Sequence, residues 1–134
     1  MAFNKKPLKA QDKLIPYSVD LENRIEASEQ PVPLSITGLN GFTTNELTFV
    51  RVGNIIFLQG YTRGSLPHGD SWTNILQLPS NIKPIRTILF SASISNVEYA
   101  QIQVSGSSGA VQARQLALPA GANWVGVDIV FVID

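Results

Sequence analysis

The 134-residue sequence contains no cysteine and a single histidine, His68. The first absence removes disulfide staples, thiolate metal sites and cysteine nucleophiles together. The second leaves His68 without another imidazole to share a metal, and the carboxylates lack calcium-loop spacing. Neither a metal nor a cofactor is expected. Charge is scarce as well: 15% of residues, balanced at ten basic and ten acidic, against about 25% in an average soluble domain. Such a chain lacks the positive field that neutralises phosphates, so nucleic acid is not an expected partner. No apolar run approaches the roughly 18 residues of a membrane-spanning helix, and no membrane insertion is expected. The opening MAFNKKPLKAQDK carries lysines without a following apolar core, so no secretory signal peptide is expected either.

The charges that are present are unevenly spread. Residues 1–32 hold Lys5, Lys6, Lys9, Lys13 and Arg24 against Asp12, Asp20, Glu22, Glu26 and Glu29, half of the chain's total. The shift marks a boundary near Pro31 and Pro33, which deny helix to their predecessors and stiffen the link. The expected organisation is an N-terminal tether over 1–32 and a head domain over 33–134. Pro7 and Pro16 confine any tether helix to the stretch after Tyr17. Ser18 or Asp20 can cap it, Asp20 and Arg24 form a favourable i,i+4 pair, and Leu21 and Ile25 make a narrow apolar stripe. This reads either as a short surface helix or as the start of a bundle joining identical subunits. A helix that short is marginal alone, so such a bundle needs the heads to associate too.

From Leu34 onward the pattern is β. The clearest unit is Glu46–Val52, then Gly53 and Asn54, then Ile55–Tyr61: two β-rich runs around a two-residue loop, a tight hairpin. Both flanks place apolar residues in both phases, with Phe49 and Leu58 beside Val50, Ile55 and Phe57. They are expected to be covered on both faces, as an inner sandwich strand or a strand in a subunit contact would be. Further strands are expected over Asn74–Leu78, Thr87–Ile94, Glu98–Val104, Ala110–Leu118 and Trp124–Ile133. The last puts Val125, Val127, Ile129, Phe131 and Ile133 on one face. Short strands with Gly, Pro and Ser punctuation predict an all-β head, an antiparallel β-sandwich or jelly roll, behind a short helical or extended tether. There is no internal repeat of fixed period, which argues against a propeller or solenoid.

Catalytic chemistry finds little support. Ser71, His68 and Asp70 lie close in sequence, but triads are assembled from distant segments, and no glycine elbow frames a serine here. The head's acids are Glu46, Asp70, Glu98, Asp128 and Asp134, with no motif pairing two of them for glycoside hydrolysis. No catalytic residue is assigned. The stretch from Tyr61 to Trp72 reads as a long connection mixing aromatic, cationic, anionic and hydroxyl groups, and loops on rigid sheets commonly carry recognition. A sugar needs an aromatic platform for its apolar face and planar polar groups for its hydroxyls. Trp72, His68, Asp70, Arg63 and Tyr61 are the candidate ligand-binding residues. The competing role for Trp72 is packing at the core edge, and Trp124 and Tyr99 are alternates with the same ambiguity.

The run NELTFVRVGNIIFLQG (45–60) resembles the opening of C-terminal head domains in bacteriophage tail fibre and baseplate receptor-binding proteins. There an aliphatic strand ends in a Gly-Asn turn and returns through an apolar strand. ILQLPSNIKP (75–84) is similar to their next landmark, a strand ending in Leu-Pro before a Pro-marked turn, and the closing strand Val125–Asp134 also matches. The helix-then-head layout resembles receptor-binding proteins from phages of Gram-positive hosts. The resemblance implies a homotrimer packed around a threefold axis, with residues 1–30 docked to another phage tail or baseplate protein. It also implies attachment to host cell-wall polysaccharide, and a place at the tail tip of the virion, reached through host lysis. No binding residue of that family maps onto this chain. The tether is short and no shoulder or neck domain is expected from these residues, so a structural baseplate or tail accessory role without its own ligand is the alternative. A lectin-like carbohydrate-binding module and a glycan hydrolase are the other competing classes.

Overall fold

The computed structural model describes residues 30–94 and 98–134; the helix expected after Tyr17 lies outside them. Val32–Asp134 forms one compact unit. Among the described residues there are nine strands and no helix. β1 (Val32–Pro33), β3 (Leu47–Val52), β4 (Ile55–Leu66) and β9 (Ala122–Val132) form one sheet in the order β1-β3-β4-β9. β2 (Thr37–Gly38), β5 (Gly69–Gln77), β6 (Ile88–Ser93), β7 (Tyr99–Val104) and β8 (Ala110–Gln115) form a second, in the order β2-β5-β8-β7-β6. Every ladder between these strands is antiparallel.

The sheets pack as a sandwich because their inward residues alternate with outward ones, as a period of two requires. Ile56 and Leu58 of β4 and Val125, Ile129 and Phe131 of β9 are buried from one side. Ile75, Ile102, Val104 and Val111 meet the same core from the other. Each large aliphatic side chain so buried contributes roughly 1.5–3 kcal/mol of transfer free energy. The expected inward face of the last strand is observed from Val125 through Ile133, as are Ala92 and Ile94, with Ile88 and Phe90 partly buried behind them.

The β3–β4 hairpin turns at Gly53, whose φ of 59° is the one positive value in the two-residue loop. Positive φ at the first turn residue alone is the pattern of a type II′ turn, which favours Gly there. In β5 the register against β8 shifts between Asn74 and Leu76. That bulge lets the consecutive Ile75 and Leu76 both enter the core.

Two boundaries differ from the sequence reading. Val32 and Pro33 belong to the sheet, pairing with Arg51 and Val50, so the head begins slightly before Pro33. The stretch from Tyr61 to Trp72 is not a long loop: β4 runs to Leu66 and β5 starts at Gly69. Gly60, just before it, and Gly64, within it, serve close approach of neighbouring groups. A Cβ on Gly60 would sit 2.1 Å from the Glu46 carbonyl oxygen, and one on Gly64 2.6 Å from the Phe42 ring.

Candidate functional site

β9 and β6 are edge strands of their respective sheets, and they come together at Gly126. A Cβ there would lie 3.4 Å from both the Cβ and the carbonyl oxygen of Ser93, so the absent side chain is what lets the two edges approach. The seam opens into a cleft of about 580 Å³ lined by Gln59, Tyr61, Ser91, Ser93, Trp124 and Asp128 among others. That volume lies within the roughly 300–1,000 Å³ of small-molecule sites.

Strand register assembles this cleft from segments far apart in the chain. β4 and β9 pair Gln59 with Asp128, Tyr61 with Gly126 and Arg63 with Trp124, placing these residues on one face. Tyr61 and Trp124 are diagonal neighbours, a spacing aromatic rings can span. Their centroids lie 5.4 Å apart with the rings at 84°, an edge-to-face pair that suits the ring quadrupoles. Gln59 donates from Nε2 to Asp128 Oδ1 at 3.1 Å. The Ser91 and Ser93 side chains face the cleft from β6. Aromatic surface thus stands beside an amide, a carboxylate and hydroxyls.

Beyond the aromatic pair, Arg63 grips Glu46 with two donors, Nε to Oε1 and a second nitrogen to Oε2 at 3.1 Å. The hydrogen bond and charge of Arg63 hold the Glu46 carboxyl below the usual carboxylate range, and Glu46 in turn raises the Arg63 guanidinium. This pair, with Tyr61 and Trp124, borders a smaller recess of about 270 Å³.

The outer face of the five-stranded sheet is a second polar surface. Gln103 donates to Gln112 at 2.6 Å, and Gln112 donates to Asn74 Oδ1 at 2.8 Å. These side chains form a ladder of planar amides across β7, β8 and β5. In the next row Arg114 stacks over Trp72 at 4.2 Å from the ring centroid. Its Nε donates to Gln101 Oε1 at 2.8 Å and its Nη1 to the Asp70 carbonyl at 3.2 Å. A shallow cleft of about 770 Å³ lies beside it, lined by Asp70, Ser91, Tyr99, Gln101, Arg114 and Leu116 among others. Ser91 borders both clefts.

The five candidate residues therefore divide. Tyr61 and Arg63 stand together beside Trp124 on the four-stranded sheet. Asp70 and Trp72 stand on the five-stranded sheet with Arg114, where Trp72 is half-buried beneath the guanidinium. His68 is exposed at the bend between β4 and β5 and lines neither cleft. The sequence reading names Trp124 only as an alternate, gives Asp128 an ordinary solvated role, and does not single out Gln59, Ser91, Ser93 or Arg114. The β4–β9, β5–β8 and β7–β8 registers, together with the approach of β6 to β9 at Gly126, bring these residues to their neighbours. Each cleft is lined by a single carboxylate, Asp128 in one and Asp70 in the other. The facing acids of glycoside hydrolysis are not formed within either.

The two-sheet β head thus carries polar clefts on its seam and on the outer face of one sheet. Its fold is similar to that in the crystal structure of the receptor binding protein of Listeria phage PSA. The TM-score is 0.66 at 21% sequence identity, covering 93% of this chain and 78% of that one. The chain thus shares the fold of a phage receptor-binding protein, as the landmark series in its sequence implies. No family model and no curated protein matches the chain. Among the described residues no helix is long and apolar enough to cross a membrane, and no group of three or more potential ligands is placed to hold a metal.

Proposed function

We propose that this protein is a non-catalytic receptor-binding head that attaches a phage particle to saccharide on the host cell wall, acting as a homotrimer. In this reading residues 1–30 dock it to a tail or baseplate protein. The observation that carries the reading is the fold shared with a phage receptor-binding protein over 93% of the chain. The seam cleft supplies matching chemistry. A pyranose presents apolar C–H faces and a ring of hydroxyls; the Tyr61–Trp124 pair offers π-surface to the former, and Gln59, Asp128, Ser91 and Ser93 offer donors and acceptors to the latter. Such sites are mostly preformed, with a few polar groups fixing orientation.

The test is a thermal-shift and tryptophan-fluorescence titration of the full chain with cell-wall polysaccharides purified from a panel of Gram-positive bacteria. A bound ligand raises the melting temperature, because it stabilises only the folded state. The expected result is a shift with at least one polysaccharide that Trp124→Ala abolishes while the variant remains folded. A wild-type protein that no polysaccharide shifts would overturn the saccharide reading and favour a structural accessory role.

A further inference from the structure

The two outer faces of the sandwich differ sharply in chemistry, and only one suits burial against another protein. On the five-stranded sheet the amide ladder and the Arg114–Trp72 stack occupy the outward face, and its exposed apolar residues, Leu89 and Tyr99, are separated by the row of Ser91 and Gln101. On the four-stranded sheet the register aligns Pro33, Val50, Phe57 and Val130 in one outward row across all four strands. The next row toward the hairpin turn holds Val52, Ile55 and Val132. Neither row contains a charged or hydrogen-bonding side chain. Ile55 is 41% exposed, Val130 43% and Val132 54%. Contiguous apolar surface of this kind on a soluble chain marks an interaction site.

We propose that this outer face of β1-β3-β4-β9 is the surface through which copies of the chain pack on one another. The inference rests on the homotrimeric reading above and names the face that serves it. A partner seated here must be apolar and nearly uncharged, or it strands a desolvated charge against valine. A second copy presents such a surface, in a chain with only 15% charged residues and no net charge. Over the six residues of β3, β3, β4 and β9 at about 4.8 Å spacing and about 3.3 Å rise per residue, with the two-residue β1 beside them, give an apolar patch on the order of 300 Å², the size at which exposed apolar patches are often functional. The following row, Thr48, Gln59 and Asp128, bounds it on the side of the seam cleft and leaves that cleft outside the contact. Residues 1–29 join the head through Gln30 and Pro31, immediately before edge strand β1. Packing on this face gathers those junctions into one assembly, where a common docking partner can hold them. It also accounts for apolar residues occurring in both phases of β3 and β4.

The experiment is the solution mass of the full chain by light scattering after size exclusion, for wild type, Val132→Glu and Leu89→Glu. Leu89 is 66% exposed on the outer face of the other sheet and controls for added charge. The expected result is a three-copy mass for wild type and Leu89→Glu, and a one-copy mass for Val132→Glu with an unchanged β-sheet circular dichroism spectrum. If Val132→Glu does not fold, Val132→Thr, which keeps shape and β preference, takes its place. It should raise the concentration for half-dissociation at least tenfold. A wild-type trimer that neither substitution weakens overturns this face as the interface while leaving the homotrimer intact. A monomeric wild type overturns both.

Discussion

Arg114 lies with its guanidinium 4.2 Å above the centre of the Trp72 ring while its Nε is held by Gln101. The contact locks a cation onto an aromatic face and spans three strands of one sheet. Replacing Arg114 with Lys keeps the charge but loses the planar fork that bonds Gln101 and the Asp70 carbonyl. The expected cost is about 1 kcal/mol, from the lost hydrogen bonds and weakened stacking. Urea denaturation followed by tryptophan fluorescence measures it, and an Arg114→Lys protein as stable as wild type would show that the stack is incidental.

Two buried polar side chains act as internal braces. Thr62 is fully buried, and its hydroxyl donates to the Thr43 carbonyl at 2.7 Å. Gln115, also buried, donates from Nε2 to the Leu118 carbonyl at 3.0 Å and accepts from the Leu118 amide at 2.7 Å. Thr62→Val and Gln115→Leu each preserve approximate shape and leave backbone groups without partners. The expected destabilisation is about 1–3 kcal/mol for each; Gln115→Leu strands the Leu118 amide, while the Leu118 carbonyl keeps the Gly121 amide at 3.0 Å. Chemical denaturation midpoints at unchanged m-value check both.

Gly60 sits at φ 125° with the Glu46 carbonyl oxygen 2.1 Å from where a Cβ would be. An alanine there meets backbone strain of about 1–3 kcal/mol and a backbone clash that can be relieved only by parting β3 from β4. Gly60→Ala is expected to be among the most damaging single changes in the head. Gly53→Ala, where a Cβ would meet open space although φ is 59°, is expected to cost only the backbone strain of about 1–3 kcal/mol, with no clash added. Melting temperatures of the two variants, compared side by side, test that order.

Those glycines also show what was legible in the sequence. The hairpin around Gly53 and Asn54 and the alternation in β6 and β9 are local patterns, and each was readable from spacing alone. Gly64, Pro67 and Gly69 fall within residues 61–72, which read as a long connection, whereas Gly60 falls inside the expected Ile55–Tyr61 run. Gly60 and Gly64 are strand residues that let Glu46 and Phe42 come close, which is a tertiary fact. The candidate site was half legible for the same reason. Tyr61 and Arg63 stood out by chemistry, whereas their partner Trp124 lies about sixty residues away and reaches them only through the β4–β9 register. Arg114 carried no local signal, since only the β5–β8 pairing sets it against Trp72.

The ion pair of Arg63 and Glu46 flanks the aromatic shelf at the surface, with both side chains substantially exposed. Its hydrogen bond lowers the folded-state pKa of Glu46, so the unfolded chain holds that proton more tightly than the folded one. The resulting stabilisation is present above the ordinary carboxylate pKa and fades as pH falls through the depressed folded value. Exposure and salt screening keep it small. Arg63→Ala is therefore expected to leave neutral-pH stability nearly unchanged while moving Glu46 back up toward the ordinary carboxylate range. Side-chain carboxyl chemical shifts followed by NMR through acid titration read that movement directly. The same variant frees the recess beside Tyr61 and Trp124. If Arg63 also contacts ligand, affinity for a responding polysaccharide falls together with the shift in Glu46. If Arg63 only braces β4 against the chain at Glu46, the titration moves and the affinity does not.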